Sequence, residues 1–353
     1  MDSATPPDDD AGPLVALTVE RITDTVESMH AAIVAPWLRA TKAVPRAKAG
    51  WSGTAAVYAA VRTVGAAAAG SAASRSPALG RLVPIGNALW GDELGKRNTA
   101  SGADRANTLS VLPVQQGSGR NLKGHVVLLH GLGETEEVWS AAGIVDRLVE
   151  AGHPVVLVRY NSGCSVADSG RALADTLDNT DIGDTMTLVG FSMGGLVSRA
   201  AVNAAQEANH SWVDALDYPA IITIGAPHVG SPIEKGVEWA SQALKVSAYS
   251  RPLSDFVERR SAGIQDLRHG TAEATDNPLT RDAVLADDVA TIAGTMAENP
   301  DGTLGRLFGD LVVRPSSATA VDSRKQAVFG GVHHSGLLAD ERVQKQLLEW
   351  LAD

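Results

Sequence analysis

One pentapeptide, Gly190-Phe191-Ser192-Met193-Gly194, constrains the fold of this chain more than any other feature of its sequence. A short apolar run, Met186–Val189, precedes it, and an Ala-rich helical pattern follows it. This order predicts a strand, a sharp turn and a helix. Such a turn holds its serine in a strained backbone conformation that only small neighbours permit, which explains the two glycines. The Ser192 hydroxyl would stand above the sheet and face free N–H groups at the start of the helix. The pentapeptide alone leaves a plain glycine-serine turn without chemistry open.

Apolar runs alternate with helical patterns over residues 106–353. Strands are predicted near 108–114, 125–129, 154–159, 186–190, 220–224, 289–292 and 327–329. Helices are predicted over 138–150, 166–177 and 342–351, and one more follows the strand 186–190 and ends at 208. Near-continuous runs of Val, Leu and Ile between helices are typical of a parallel sheet buried on both faces. The predicted fold class is therefore α/β, with a doubly wound and mostly parallel sheet.

The alternation breaks at about 229–288, and this segment is predicted to be a cap insertion. It contains two helix-like stretches, 233–246 and 253–260, followed by a polar tract around 269–277. In doubly wound hydrolases an insertion at this point lies above the nucleophile, and long insertions in compact domains tend to be functional. A surface excursion without a function is the alternative.

The first 105 residues form a separate region in this interpretation. Residues 1–13 are acidic and Pro-rich and are predicted to be a disordered tail, while 14–105 are predicted to be a helical extension and linker. Apolar spacing predicts amphipathic helices over 14–35 and 54–69, and the polar, Gly-rich stretch 91–105 is predicted to be the linker. Because an apolar helical face must be buried, these helices either pack on the protein itself or join two copies into a homo-oligomer.

Charge and composition exclude several classes of partner. The net charge of −11 disfavours nucleic acid and does not support binding to an anionic membrane surface. The N-terminus lacks the basic start and apolar core of a secretory signal, and the apolar stretch 53–73 contains Arg62 and is too weakly apolar to span a bilayer. We therefore expect a cytoplasmic protein.

A serine nucleophile needs a base and a third group that orients the base. Asp310 and His334 follow the last two predicted strands, in the order expected of an acid and a base on successive strand ends. Asp310 is preferred to Asp301 because an apolar Val-Val run follows it and fixes its loop. His334 is preferred to His333 because Leu337-Leu338 can anchor the next helix while the His334 ring stays in the loop. Taken singly, a surface aspartate or a core histidine is the simpler explanation.

Two backbone N–H groups are predicted to hold an oxyanion. His130-Gly131-Leu132-Gly133 directly follows the strand 125–129, and this glycine-flanked turn would point the Leu132 N–H at a substrate carbonyl. The Met193 N–H, directly after the serine, would be the second donor. His130 itself is predicted to be structural. No metal and no cofactor are predicted, because His228, His269, His333 and His334 lack a ligand spacing and there is no Gly-rich phosphate loop.

Five sequence blocks together resemble the α/β-hydrolase superfamily, and within it the lipases and esterases related to the GPI inositol-deacylase-like group. The blocks are His130–Gly133, Arg159–Gly163, Gly190–Gly194, Gly225–Pro232 and Gly309-Asp310. The resemblance covers about 108–353. It implies a metal-free serine hydrolase that acts on carboxylic esters of small molecules or lipids. The first hundred residues have no counterpart in that fold, and the usual lone base histidine is doubled at 333 and 334.

Two other functions stay open at this point. An acyltransferase would use the same acyl-serine and pass the acyl group to an alcohol instead of water. A ligand-binding or surface-recruited protein would keep the scaffold without the chemistry. The resemblance does not imply a GPI substrate.

Overall fold

The structure is a computed structural model that describes residues 15–21, 23, 24, 27, 59, 88, 92, 93, 109–113, 123–229, 262–269, 288–300, 302, 310, 312–319 and 325–352. The chain divides into two compact units, one of residues 1–106 and 236–261 and the other of residues 107–235 and 262–353. All of the sheet and the candidate site lie in the second unit.

The second unit contains a seven-stranded sheet in the order β1-β3-β2-β4-β5-β6-β7. The strands are β1 (Ser110–Pro113), β2 (His125–Leu129), β3 (Val155–Arg159), β4 (Met186–Phe191), β5 (Leu216–Ile224), β6 (Val289–Thr295) and β7 (Lys325–Gly330). Among the strands that the structure describes, only the edge pair β1 and β3 is antiparallel. The six parallel strands therefore end at one common edge, and the loops that follow them meet there.

Helices cover both faces of this sheet. They are α1 (Glu137–Ala141), α2 (Ile144–Glu150), α3 (Val166–Asp178), α4 (Met193–Ala208), α5 (Ala262–His269), α6 (Pro315–Ala318) and α7 (Glu341–Trp350), with short 3-10 helices at Ser211–Ala215 and His334–Gly336. The predicted α/β class with a doubly wound, mostly parallel sheet is confirmed.

Two apolar layers lie on either side of the sheet, because successive strand residues point to opposite faces. Val127 and Leu129 pack in the layer that includes α3 and α4. Val126 and Leu128 pack in the layer that includes α1, α2 and α7. Within the first layer α3 and α4 approach closely, since a Cβ added at Gly170 would lie 2.4 Å from the Cβ of Ala200.

The structure corrects two element predictions in this unit. The predicted helix 138–150 is two helices, because Gly143 adopts φ 76° and interrupts the turn between α1 and α2. Helix α5 was not predicted; it lies in the segment assigned to the cap, whose two predicted helices, 233–246 and 253–260, fall outside the described residues. The assignment of 229–288 as a cap stays a prediction.

In the first unit, the described residues between 15 and 27 are helical, in agreement with the predicted helix 14–35. The Thr23 hydroxyl donates to the Val19 carbonyl, and Arg21 forms an ion pair with Glu93. Glu93 and its neighbour Asp92 are helical, and the assignment of 91–105 as a linker stays a prediction. Of the predicted helix 54–69 only Ala59 is described, as helical, and residues 1–13 fall outside the described residues. None of the helices in the described ranges has the length and apolar character needed to cross a membrane.

Candidate active site

Ser192 lies in the predicted sharp turn between β4 and α4. Its backbone has φ 52° and ψ −120°, a conformation that costs a non-glycine residue about 1–3 kcal/mol. The flanking glycines permit the turn: a Cβ at Gly190 would lie 2.4 Å from the Gly194 backbone, and one at Gly194 would lie 2.4 Å from the Leu129 carbonyl oxygen. The Ser192 N–H donates to the Ile224 carbonyl at the end of β5. The turn is therefore fixed to the carboxyl edge of the sheet.

His334 is the histidine that reaches this serine. Its Nε2 atom lies 3.0 Å from Ser192 Oγ. The residue begins a 3-10 helix, and the two leucines that follow it, Leu337 and Leu338, are buried in the sheet core, as the sequence predicted. The ring also packs against Phe191, with 5.1 Å between the ring centroids. The His334 side chain is thus held between a buried anchor and the nucleophile turn.

Asp310 contacts the other side of the same ring. Its Oδ2 atom lies 2.7 Å from His334 Nδ1, and its backbone carbonyl accepts the His334 N–H. Its Oδ1 atom accepts the N–H groups of Val312 and Val313, at 3.0 and 2.7 Å, and only 1% of the residue is exposed. With the Nδ1 proton donated to this carboxylate, Nε2 presents a lone pair to the Ser192 hydroxyl.

The two competing residues are placed differently. His333 is exposed, and its Nδ1 lies 3.0 Å from Ser335 Oγ, so it does not take part in the contacts with Ser192. Asp301, the alternative acid, falls outside the described residues. Among the described residues, the structure brings together the three side chains named from the sequence: Ser192, His334 and Asp310.

The turn after β2 runs beside the nucleophile. A Cβ added at Gly131 would lie 3.2 Å from the Cβ of Ser192 and 3.3 Å from the ring of Phe191. Leu132 is the next residue of this turn. Met193 is the first residue of α4, so its N–H has no acceptor within the helix. Both residues named as oxyanion donors therefore belong to backbone segments that adjoin Ser192.

His130 is a structural residue, as predicted. Its Nδ1 lies 2.9 Å from the Gly131 carbonyl oxygen, its Nε2 lies 3.5 Å from the Tyr160 nitrogen, and the two rings stack at 4.3 Å. The Tyr160 hydroxyl donates to the His130 carbonyl. Complete burial lowers the pKa of His130 to about 4. The ring is therefore neutral at pH 7, with Nδ1–H donating and Nε2 accepting.

The loop after β5 contains two residues, Gly225 and His228, that are fixed by hydrogen bonds close to the site. Gly225 donates its N–H to the Ile292 carbonyl at 2.8 Å, which ties the loop to β6. His228 is buried, with Arg199 at 3.1 Å from Nδ1 and the Thr223 hydroxyl at 3.2 Å from Nε2. Burial, and after it the Arg199 charge, lowers the pKa of His228, so it accepts from Arg199 as a neutral ring.

Comparisons with known proteins give one local family match and several structural neighbours. Residues 170–272 match the family described as "Putative serine esterase (DUF676)", a stretch that includes Ser192 but neither Asp310 nor His334. The mature lipase BlEst2 of Bacillus licheniformis superposes with a TM-score of 0.50 at 18% identity, covering 69% of this chain and 98% of its own. The monoglyceride lipase of Saccharomyces cerevisiae gives 0.42 at 16% identity, covering 69% and 90%. No curated protein matches the sequence.

The resemblance to the deacylase-like group is not tested by these comparisons and stays a prediction. The broader prediction is confirmed. The chain has the α/β-hydrolase fold, and it is a serine hydrolase of carboxylic esters.

Proposed function

We propose that the chain hydrolyses carboxylic esters through an acyl-enzyme on Ser192, with His334 as the general base and Asp310 as the group that orients it. The observation that carries this proposal is the continuous hydrogen-bonded path from Asp310 Oδ2 through the His334 ring to Ser192 Oγ. A serine alcohol is a poor nucleophile at neutral pH, and such a path is the arrangement that activates it.

The first half of the reaction forms the acyl-enzyme. Ser192 Oγ attacks the ester carbonyl carbon while His334 Nε2 takes the hydroxyl proton. The carbonyl oxygen becomes an oxyanion, which the N–H groups of Leu132 and Met193 stabilise. Removing one such donor typically raises the barrier by about 2.7–4 kcal/mol. His334 then gives its proton to the leaving alkoxy oxygen, the C–O bond breaks, and the alcohol departs.

The second half repeats these steps with water. His334 takes a proton from a water molecule, whose oxygen attacks the acyl carbon, and the proton returns to Ser192 Oγ as the carboxylic acid leaves. No metal or cofactor takes part in this proposal. Substrates would be esters of small molecules or lipids. A cytoplasmic location, and association of two copies through the helices at 14–69, stay predictions.

Ester hydrolysis by four proteins tests the assignment. Purified wild-type enzyme, Ser192→Ala, His334→Gln and His333→Gln are assayed on p-nitrophenyl esters of increasing acyl length, and Ser192 labelling by a fluorophosphonate is followed by mass spectrometry. We expect at least a 1,000-fold loss of kcat for the first two variants and less than a threefold change for His333→Gln. Equal rates for Ser192→Ala and wild type at every length would overturn the proposal.

The same assay separates hydrolysis from acyl transfer. When a primary alcohol is added, it competes with water for the acyl-enzyme. The fraction of product that is a new ester measures the share of the reaction that goes to the alcohol. Predominant release of free acid at millimolar alcohol supports the hydrolase. Predominant formation of the new ester would instead indicate an acyltransferase.

A further inference from the structure

The turn between β2 and α1 has three successive N–H groups at Gly131, Leu132 and Gly133. The Gly131 N–H donates to the Glu134 carboxylate, at 3.1 Å from Oε2, and the Glu134 N–H returns a bond to the Gly131 carbonyl at 3.4 Å. The Gly133 N–H donates to Ser162 Oγ at 3.0 Å. The two outer N–H groups are therefore occupied by side chains, and the middle one belongs to Leu132.

The side chains of Glu134 and Ser162 fix the turn after β2 from two different segments of the chain. Ser162 is buried in the loop after β3, and 29 residues separate it from Gly133. Gly133 adopts φ 72°, a left-handed conformation that favours glycine. Glu134 and Ser162 thus hold the two peptide groups on either side of the one that carries the Leu132 N–H. A preorganised donor costs no reorganisation when the oxyanion forms, which is the source of its effect on rate.

Glu134 also places a charge beside the reacting groups. The point where a Gly131 Cβ would stand is 2.9 Å from Glu134 Oε2 and 3.2 Å from Ser192 Cβ, so the carboxylate and the nucleophile flank the same position. Burial raises the pKa of Glu134, while the Gly131 N–H and the charge of His334 act in the opposite direction. A carboxylate here favours the imidazolium that His334 becomes during the reaction.

We propose that Glu134 and Ser162 are positioning residues for ester hydrolysis: they occupy the N–H groups on both sides of Leu132 and so aim the Leu132 N–H at the oxyanion. This proposal rests on the proposed function, because it needs an oxyanion next to Ser192. Glu134 has a second effect through its charge on His334.

Four variants separate these effects. Glu134→Ala removes the acceptor and the charge, Glu134→Gln keeps an acceptor oxygen and removes the charge, and Ser162→Ala removes the second acceptor. Glu137→Ala, an exposed carboxylate at the start of α1, is the matched control for charge loss in this segment. The readouts are kcat and KM on p-nitrophenyl butyrate and the Ki of an alkyl trifluoromethyl ketone, which forms a tetrahedral adduct with the serine.

We expect Glu134→Ala and Ser162→Ala each to lower kcat about 10- to 100-fold, with KM within about threefold of wild type. The Ki of the ketone should rise by a similar factor, because the adduct carries the oxyanion. Glu134→Gln should lose less than Glu134→Ala, and Glu137→Ala should match wild type.

Two results would overturn the inference. One is a kcat within threefold of wild type in both alanine variants. The other is a fall in kcat with unchanged affinity for the ketone, which indicates a general structural defect. The two alanine variants are independent, so if one fails to fold the other decides. An inactive wild type with unlabelled Ser192 would instead defeat the proposed function itself.

Discussion

Gly225 lies directly against the imidazole of His334. The residue has φ 64°, and a Cβ added to it would lie 3.1 Å from Cε1 and 3.3 Å from Nδ1 of that ring. Nδ1 is also the atom that contacts Asp310. A side chain at position 225 would therefore crowd Cε1 and Nδ1 of the His334 ring. Glycine at this position leaves room for the ring in the orientation that contacts Asp310.

The first prediction is that Gly225→Ala lowers kcat at least tenfold. The added methyl would lie 3.0 Å from Leu337 Cδ1 and 3.1 Å from His334 Cε1, so it crowds both the ring and the leucine that anchors it. Small misplacements of a reacting group are costly. The left-handed backbone should also lower the free energy of unfolding by about 1–2 kcal/mol. Ester hydrolysis and urea denaturation measure the two effects.

Gly143→Ala is the matched control for this variant. Gly143 has φ 76° between α1 and α2, and a Cβ there would meet nothing within 4 Å. It should lose a similar amount of stability and keep its full kcat. If Gly225→Ala proved as active as Gly143→Ala, the contact with His334 would have no bearing on catalysis.

The second prediction concerns the acid. In Asp310→Asn the side-chain oxygen can still accept the N–H groups of Val312 and Val313, so the fold should be kept. The amide NH₂ then faces His334 Nδ1 and forces that nitrogen to accept, which places the proton on Nε2, where it blocks the base. We expect kcat to fall about 10³- to 10⁴-fold.

The control for this loss is Asp340→Asn. Asp340 caps α7 by accepting the Arg342 N–H at 2.9 Å, a role that asparagine fills nearly as well. Its kcat should equal that of wild type, and both variants should show the wild-type circular dichroism spectrum. A kcat for Asp310→Asn within threefold of wild type would remove Asp310 from the mechanism.

The strands and the three reacting residues could be predicted because their signals are local. Each parallel strand is a near-continuous apolar run, and the turn at Ser192 requires glycines at fixed offsets. Asp310 and His334 could be found because each follows one of the last two strands, and parallel strands bring such loops to one edge. The Val-Val run proved to fix Asp310 through two N–H groups, Val312 and Val313, that bind its carboxylate.

The features that were missed depend on contacts between distant segments. Glu134 and Ser162 bind different N–H groups of the same turn, but no spacing in the sequence connects them. Helix α5 has only two buried apolar side chains, and its position depends on Gly263, where a Cβ would lie 2.2 Å from the Ser162 carbonyl oxygen. The break at Gly143 was missed because the apolar helical pattern continues across it, and a single glycine is tolerated in many helices.

The third prediction concerns the backbone strain at Ser192 and its effect on stability. Ser192→Ala and Ser192→Gly both lack the nucleophile and should be inactive. Glycine adopts φ 52° and ψ −120° without the strain that alanine keeps. We expect Ser192→Gly to be more stable than Ser192→Ala by about 1 kcal/mol, after the greater chain entropy of unfolded glycine is subtracted from the relief of strain.

Thermal and urea unfolding of the two inactive proteins provide the measurement. Both lack the hydroxyl, so the hydrogen bond that Ser192 donates to His334 does not enter the difference between them. Equal stability, or a less stable glycine variant, would mean that the surrounding turn stores no strain at this residue.

The last prediction is loss of stability in acid through His130. Its pKa of about 4 in the folded protein lies below the ordinary value near 6.5, so the unfolded chain binds the proton more readily. The stability that this neutral ring contributes is complete above pH 6.5 and is lost as the pH falls from 6.5 towards 4. Between pH 7.5 and 5 the free energy of unfolding should fall by about 2 kcal/mol on account of this residue.

His130→Gln can bond to the same two backbone groups without titrating, so its urea-derived free energy of unfolding should fall less over that interval. His228, whose pKa is also lowered by burial, leaves part of the dependence in place. The same fall in variant and wild type would show that His130 is not the group that takes up the proton.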